Sequence, residues 1–333
     1  MNVTVAIVAF NEQDFLPNLL RDIENQDFEK SKTEVLLIDS ASTDNTKQIM
    51  GLFKDKHAEY LNIQVLDNPE KIQAAGWNIA IDSFSTDVLI RVDAHAKLPQ
   101  DFISKNMETI EGGENVCGGI RPCLIDKKSK WGEILLRTEN SLFGSSINKS
   151  RHSNEKTYVK TLFHAAYRRE VLEKVGKFNK RLARTEDNEF HYRIRSAGYK
   201  FCYTPEIKSY QYARSSFKKM VKQKYGNGKW IGLTLGVCPK CFSLYHFAPF
   251  AFVGAIIATV LLACLGLWQF IATLGCLYAL FAVSNTVISS IGEEFNCFCF
   301  LMPILFFILH VSYGLGTIVG LVKMPFERKE LKQ

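Results

Sequence analysis

The stretch VTVAIVAFNEQDFLPNLLRDIENQ (residues 3–26) changes its period part-way along. Residues 3–10 form a short continuous apolar run, the pattern of a strand covered on both faces, and from Asn11 onward the spacing becomes helical. The alternation then repeats. EVLLID (34–39) reads as a second strand, followed by SASTDNTKQIMGLF (40–53) as turn and helix. IQVLDN (63–68) is a third, with KIQAAGWNIAIDSF (71–84) as its helix, and VLIRVDA (88–94) is a fourth.

Strands that alternate with helices predict an α/β domain built on a largely parallel sheet. In such sheets ligands bind beyond the carboxyl ends of the strands. Three polar clusters fall at those ends: Asn11 with Glu12, Asp39 to Asp44, and Asp93 with His95. Asp93 and His95 alone fit either a capped surface turn or a metal site, since a carboxylate oxygen and an imidazole nitrogen at this spacing can face one cation. Their shared placement with the other two clusters favours a site. No G-x-G-x-x-G or G-x-x-x-x-G-K-[ST] follows the first strand, so dinucleotide dehydrogenases and P-loop nucleotidases are disfavoured.

The 333 residues allow more than one folding unit. Up to about residue 240 the chain is mixed and charged. Then come FAPFAFVGAIIATVLLACLGLW (247–268), FIATLGCLYALFAVSNTVI (270–288) and CFCFLMPILFFILHVSYGLGTIVGLV (297–322), each near the roughly 20 apolar residues that cross a bilayer as a helix. The start MNVTVAIVAF has no basic leader and reads as a strand, so the large domain is expected to stay in the cytosol. The net charge of +7 is modest. Its placement says more: Lys218, Lys219, Lys222, Lys224 and Lys229 alternate with Phe217, Met220, Tyr225 and Trp230 just before the apolar block, a pattern suited to an anionic membrane surface. Nucleic-acid binding is disfavoured because no nucleic-acid motif accompanies these lysines. Nine scattered cysteines fit a reduced compartment, and Cys238 with Cys241 lacks the second ligand pair of a zinc site.

Four segments in order resemble the inverting family 2 glycosyltransferases with the GT-A fold. VAIVAFNE (5–12) resembles the family's opening strand with its Asn-Glu, and LLIDSASTDNT (36–46) its D-D-G-S-x-D-x-T segment. RVDAHA (91–96) resembles its D-x-D metal motif, and TEDNEFHYRIRSAGYK (185–200) its acidic base motif. Within the family the chain looks most like the ExoA-type succinoglycan glucosyltransferases, which share the D-A-H form and carry C-terminal membrane helices.

The resemblance implies a Rossmann-like GT-A catalytic domain over residues 1–230, with a basic and aromatic interfacial connection at 231–245. About three transmembrane helices at 246–322 and a basic tail at 323–333 would follow. By similarity Asn11 and Glu12 lie near the nucleoside of the donor, Asp39 hydrogen-bonds the uracil, and Asp44 shapes the turn or caps the next helix. Asn78 either supports the donor pocket or packs its helix. Asp93 and His95 would hold Mg²⁺ or Mn²⁺ on the diphosphate, where a divalent cation stabilises the leaving group. Asp187 would be the general base that takes the acceptor hydroxyl's proton. Glu186 would position the loop, His164 would touch the acceptor or fill space, and His191 would be a distant metal or phosphate partner. Gly118 and Gly119 would let backbone approach a sugar, or simply make a turn. Gln223 and Trp230 only loosely echo the Q-x-x-R-W clamp of processive synthases.

The implied activity is transfer of a hexose, most simply glucose, from a UDP-sugar to a polyprenyl-diphosphate-linked saccharide. It would take place at the cytoplasmic face of the cell membrane, among membrane lipids and other polysaccharide-assembly enzymes, and feed an extracellular polysaccharide. Two readings stay open beside it: a polyprenyl-phosphate sugar synthase, and a silent membrane scaffold that binds nucleotide sugars without turnover. Three spans would leave Lys323, Arg328, Lys329 and Lys332 outside, against the preference of basic residues for the inside, so the topology is open too.

Overall fold

The computed structural model describes residues 1–125, 129–144, 155–212 and 216–331, with the side chains of 328–330 outside the description. Of the basic tail read at 323–333, the side chains of Arg328 and Lys329 and the whole of Lys332 therefore lie outside the described residues. The strands are β1 Val3–Ala9, β2 Thr33–Asp39, β3 Asn62–Asp67, β4 Val88–Asp93, β5 Ala96–Lys97, β6 Val116–Ile120, β7 Cys123–Leu124, β8 Thr157–Val159, β9 Ala166–Arg168, β10 Phe201–Lys208 and β11 Tyr210–Tyr212. The helices are α1 Leu16–Glu24, α2 Thr46–Lys56, α3 Gln73–Ser83, α4 Phe102–Glu111, α5 Lys130–Asn140, α6 Arg169–Val175, α7 Glu186–Ser196, α8 Phe217–Thr234, α9 Ala248–Cys264, α10 Gln269–Ile288 and α11 Met302–Leu331. Two compact units result, one over Met1–Pro122 and Lys149–Tyr212 and the other over Cys123–Asn148 and Ala213–Gln333.

In the first unit, eight strands among the described residues form one sheet in the order β3-β2-β1-β4-β9-β6-β10-β8. β1 pairs in parallel with both β2 and β4, β2 with β3, and β6 with β10. The short β9 runs antiparallel between β4 and β6. The expected α/β architecture with a mostly parallel sheet is what forms. The reason lies in burial on both faces. Every residue of β2 is buried, including Val35 and Leu37 toward one side and Leu36 and Ile38 toward the other. Each such side chain removed from water stabilises the fold by about 1.5–3 kcal/mol before chain entropy is counted.

Local signals set the first helix. α1 has a proline in its first turn, where a missing N–H costs nothing, and it buries Leu16, Leu19, Leu20 and Ile23. Further on, Gly119 has a packing reason rather than a ligand-facing one: a Cβ there would lie 1.8 Å from the carbonyl oxygen of Ile207 on β10. Its lack of a side chain allows that strand to close up.

The second unit contains three stretches long and apolar enough to cross a membrane: Leu244–Cys264, Gln269–Ile288 and Cys297–Glu327. It also holds α5 and α8, whose residues Ile134, Leu135 and Met220 share a core with Ala282, Met302, Leu305, Phe306 and Leu309. α8 thus belongs with the apolar helices in the second unit, whereas the resemblance carries the first domain on to residue 230. One lysine departs from the surface pattern read in the sequence. Lys224 is buried and pairs with Glu139 of α5 at 2.9 Å, because the helix turns that position toward its neighbours instead of water.

Candidate active site

Strand β4 organises the polar centre of the first unit. Side chains two apart on a strand project to one face, so Arg91 and Asp93 stand side by side about 7 Å apart along the backbone. Each carries its own partner. The two guanidinium terminal nitrogens of Arg91 donate to the two carboxylate oxygens of Asp187, Nη1 to Oδ1 and Nη2 to Oδ2, the second at 3.3 Å. The guanidinium also lies 4.4 Å from the Trp77 ring centroid and 5.6 Å from that of Phe178, which leaves it one orientation. Burial works against its charge, but Asp187 and then Asp93 outweigh that and hold its proton more tightly than in water.

Asp93 closes the strand. Its Oδ2 lies 3.4 Å from His164 Nε2 and 3.5 Å from Arg121 Nη1. Burial raises the cost of its charge, yet His164, Arg91 and Arg121 hold the carboxyl well below the usual range, so it is ionised at any ordinary pH. His164 itself is buried and pushed toward the neutral form by that burial, with Asp93 opposing. Its Nδ1 is 3.0 Å from the Ser209 hydroxyl, so a neutral ring with its proton on Nε2 suits both neighbours. His164 also sits at φ 48°, a left-handed backbone conformation that bulky residues rarely adopt, and one that sites of function retain.

His95 joins the ends of two strands. Its Nδ1 is 3.2 Å from Glu12 Oε1 and its Nε2 is 2.8 Å from the Gln211 amide nitrogen. Burial would lower its pKa, but Glu12 and Asp93 prevail and raise it. With Nδ1–H donating to Glu12, the Nε2 lone pair faces the Gln211 amide. The backbone makes this meeting possible: β11 pairs antiparallel with β5, placing Gln211 opposite Ala96, and the Tyr212 N–H donates to the His95 carbonyl at 3.2 Å.

The remaining site candidates of the first unit have their own local partners. Asn11, at φ 55°, accepts the Thr43 N–H through Oδ1 at 2.8 Å, while its own N–H donates to Ser42 Oγ at 3.0 Å. It ties the end of β1 to the loop after β2. Asp39 is buried and receives the Ser42 N–H on both oxygens at 3.3 Å. Asp44 accepts from Thr46 N and Oγ1 at 3.0 and 2.6 Å, the geometry of a turn-shaping residue. Asn78 uses both ends of its amide on the Phe178 backbone, donating at 3.0 Å and accepting at 2.7 Å. That clamp holds the ring that flanks Arg91. Gln223 and Trp230 lie on α8 in the second unit.

Glu186 opens α7 beside Asp187. It is 4% exposed, and among the described residues its Oε2 has no hydrogen-bond partner. Burial, with the neighbouring Asp187 charge behind it, pushes its carboxyl up to about 8. His191, read as a distant metal or phosphate partner, has partners within the core. It is 1% exposed in the core, 2.7 Å from Thr161 Oγ1 and 3.1 Å from the Tyr167 hydroxyl, because one turn into α7 its ring points at the sheet.

Three residues of this centre carry no role in the sequence reading: Arg91, Arg121 and Gln211. Arg91 had a legible signal, since a strand puts it on the face of Asp93. Gln211 had none, because 116 residues separate it from His95.

β4 ends in an ionised acid, and two residues back its arginine holds a second acid on α7. The model of Glycosyl transferase family 2 matches residues 4–176. The chain belongs to that family. The transferase is 26% identical over 327 residues to the dolichyl N-acetyl-α-D-glucosaminyl phosphate 3-β-D-2,3-diacetamido-2,3-dideoxy-β-D-glucuronosyltransferase of Methanococcus voltae, covering 96% of this chain and 97% of that one. It is also 26% identical over 229 residues to the succinoglycan biosynthesis protein ExoA of Rhizobium meliloti, covering 68% of this chain and 67% of the relative. Among solved structures, the mannosyltransferase PcManGT of Pyrobaculum calidifontis, in complex with GDP-mannose and Mn²⁺, superposes with a TM-score of 0.62 at 18% identity, over 94% of this chain and 86% of that one. That likeness establishes the GT-A fold of the transferase.

Proposed function

We propose that this glycosyltransferase moves a hexose, with glucose the sugar the resemblance favours, from a UDP-sugar to a polyprenyl-linked saccharide at the cytoplasmic face of the membrane. The observation that supports the reading is that β4 carries both an ionised Asp93 and, two residues back, Arg91, which holds Asp187 of α7. Inversion needs a base on one side of the anomeric carbon and a charge-stabilised leaving group on the other. The lipid-linked acceptor is supported by the Methanococcus relative, whose name specifies a dolichyl phosphate sugar and which matches through the apolar helices.

In this reading Asp187 accepts the proton of the acceptor hydroxyl as its oxygen attacks. Arg91 keeps the carboxylate turned toward the acceptor, and Asn78 supports Arg91 through Phe178. Asp39, Asn11 and the loop they brace receive the nucleoside. Asp93 and His95 fit a divalent cation, since one offers an ionised oxygen and the other a nitrogen lone pair now facing an amide. Glu12 orients the ring from its other nitrogen, as carboxylates do for metal-bound histidines. Among the described residues no three His, Cys, Asp or Glu side chains gather closely enough to hold a cation alone, so the diphosphate would complete the coordination. When bound, Mg²⁺ or Mn²⁺ would neutralise charge on the departing nucleoside diphosphate.

The test is to incubate membranes containing the protein with a panel of labelled nucleotide sugars and analyse the lipid-extractable products. An extended lipid-linked saccharide that disappears on chelation and returns with Mn²⁺ or Mg²⁺ is the expected result. A glycosyl monophosphate lipid would instead establish a polyprenyl-phosphate sugar synthase, and donor binding without product would establish a scaffold.

A further inference from the structure

The third apolar stretch differs from the other two in what lies along it. α8 runs beside α11 with almost no gap. A Cβ on Gly228 would lie 2.0 Å from the Tyr313 carbonyl oxygen, and one on Gly232 2.6 Å from that of Thr317. On the facing helix, a Cβ on Gly316 would lie 2.1 Å from the Tyr225 carbonyl oxygen and one on Gly320 2.1 Å from that of Lys229. Residue numbers rise together along both helices, so they point the same way. Met220 shares a core with Leu305 and Leu309 at one end, and Gly232 meets Leu321 at the other. The pairing therefore spans about 24 Å of α11, nearly the roughly 30 Å depth of a bilayer's hydrocarbon.

α8 carries Lys218, Lys219 and Lys222 exposed, and Lys229 further along. If α11 stood across the bilayer, these lysines would be spread through the depth of the hydrocarbon, where an ammonium is costly and rare. The exposed side of α11 points to another orientation. Ile304, Phe307, Leu315, Val322 and Phe326 are all exposed and recur at helical spacing on one face, opposite the glycines that meet α8. Such a stripe, backed by a helix that carries exposed lysines, is the arrangement of a helix lying in the membrane surface.

α9 and α10 are unlike this. From Cys241 to Gly292 no Asp, Glu, Lys or Arg occurs, and Ile257, Leu261, Leu265, Trp268 and Leu280 are all exposed. α9 meets α11 near its own start, where Gly314 packs against Pro249 and Phe252 lies 6.1 Å from Phe307. The apolar hairpin is thus continuous with the stripe on α11.

We propose that α9 and α10 alone enter the bilayer as a hairpin, while α8 and α11 form a paired platform on its surface, with the α11 stripe in contact with acyl chains. This rests on the membrane reading, and it returns the chain's basic end to the face that holds its beginning. The topology then agrees with the preference of Lys323 and its basic neighbours for the inside.

The experiment uses the full chain with one epitope tag at each end, in sealed membrane vesicles of known sidedness treated with protease before and after permeabilisation. Both tags should be protected or cleaved together. A C-terminal tag on the face opposite the N-terminal one would overturn the arrangement. Spin labels at Ile304→Cys, Leu315→Cys and Val322→Cys, in a version lacking the native cysteines and placed in vesicles of phosphatidylethanolamine and phosphatidylglycerol, give the depth directly. Depths within about 5 Å of one another are expected, whereas a crossing helix would separate the first and last by about 27 Å and sink the proposal. Recovery of the tagged chain in the soluble fraction would refute membrane residence itself, a failure distinct from opposite-face tags.

Discussion

Asp187 and Arg91 concentrate the chemistry of the first unit in one contact. A bidentate guanidinium fixes a carboxylate's plane as well as its charge, which a lysine cannot do. Asp187→Asn keeps the shape and removes the proposed proton acceptor, so transfer should fall about 100- to 10,000-fold while donor binding, followed by calorimetry, persists. Arg91→Lys should lower kcat and leave the donor KM close to normal, since it loosens the base without touching the nucleoside loop; a rise in KM alone would contradict the positioning role. Asp93→Ala should instead weaken donor binding and its dependence on Mn²⁺. Glu186 is a separate matter. Its carboxyl rises from the ordinary 4.5 to about 8 in the fold, so the folded state holds a proton that the unfolded state releases. Stability is then full below pH 4.5 and declines as pH rises toward 8. Glu186→Gln should flatten that decline in thermal melts between pH 5 and pH 8, and an unchanged slope would refute a buried, protonated Glu186.

At the level of elements, the four strands and three helices from residue 3 to 94 were legible because short continuous apolar runs alternate there with segments of helical spacing. β9, β8 and β11 were not, since strands of three residues carry no period, and their pairing depends on partners far along the chain. β11 matters most among these, for it delivers Gln211 to His95. The helices of the second unit carry a sharper test. Gly228→Val would drive a branched side chain into the Tyr313 carbonyl, 2.0 Å from its Cβ, and should cost at least about 1–3 kcal/mol in detergent melts. Gly254→Ala, where a Cβ meets nothing within 4 Å, should instead be neutral or stabilise α9 by up to about 1 kcal/mol. Equal effects of the two changes would mean that α8 and α11 do not depend on close backbone approach.

For the molecule as a whole, the apolar run from Cys241 to Gly292 predicts that washing membranes at high salt or alkaline pH leaves the protein in the pellet, because hydrophobic insertion is indifferent to ionic strength. Release by salt alone would point to attachment through the lysines of α8 only. Composition and period by themselves determined the α/β class, the four leading strands, the apolar block and the three polar clusters at strand ends, since these are properties of short contiguous segments. Tertiary structure alone decided which groups meet: Asp187 with Arg91, Asp93 with His164 and Arg121, His95 with Glu12 and Gln211, and Lys224 with Glu139. Those contacts join residues 28 to 116 positions apart, and only the closing of the sheet and the packing of helices brings such distant side chains within reach.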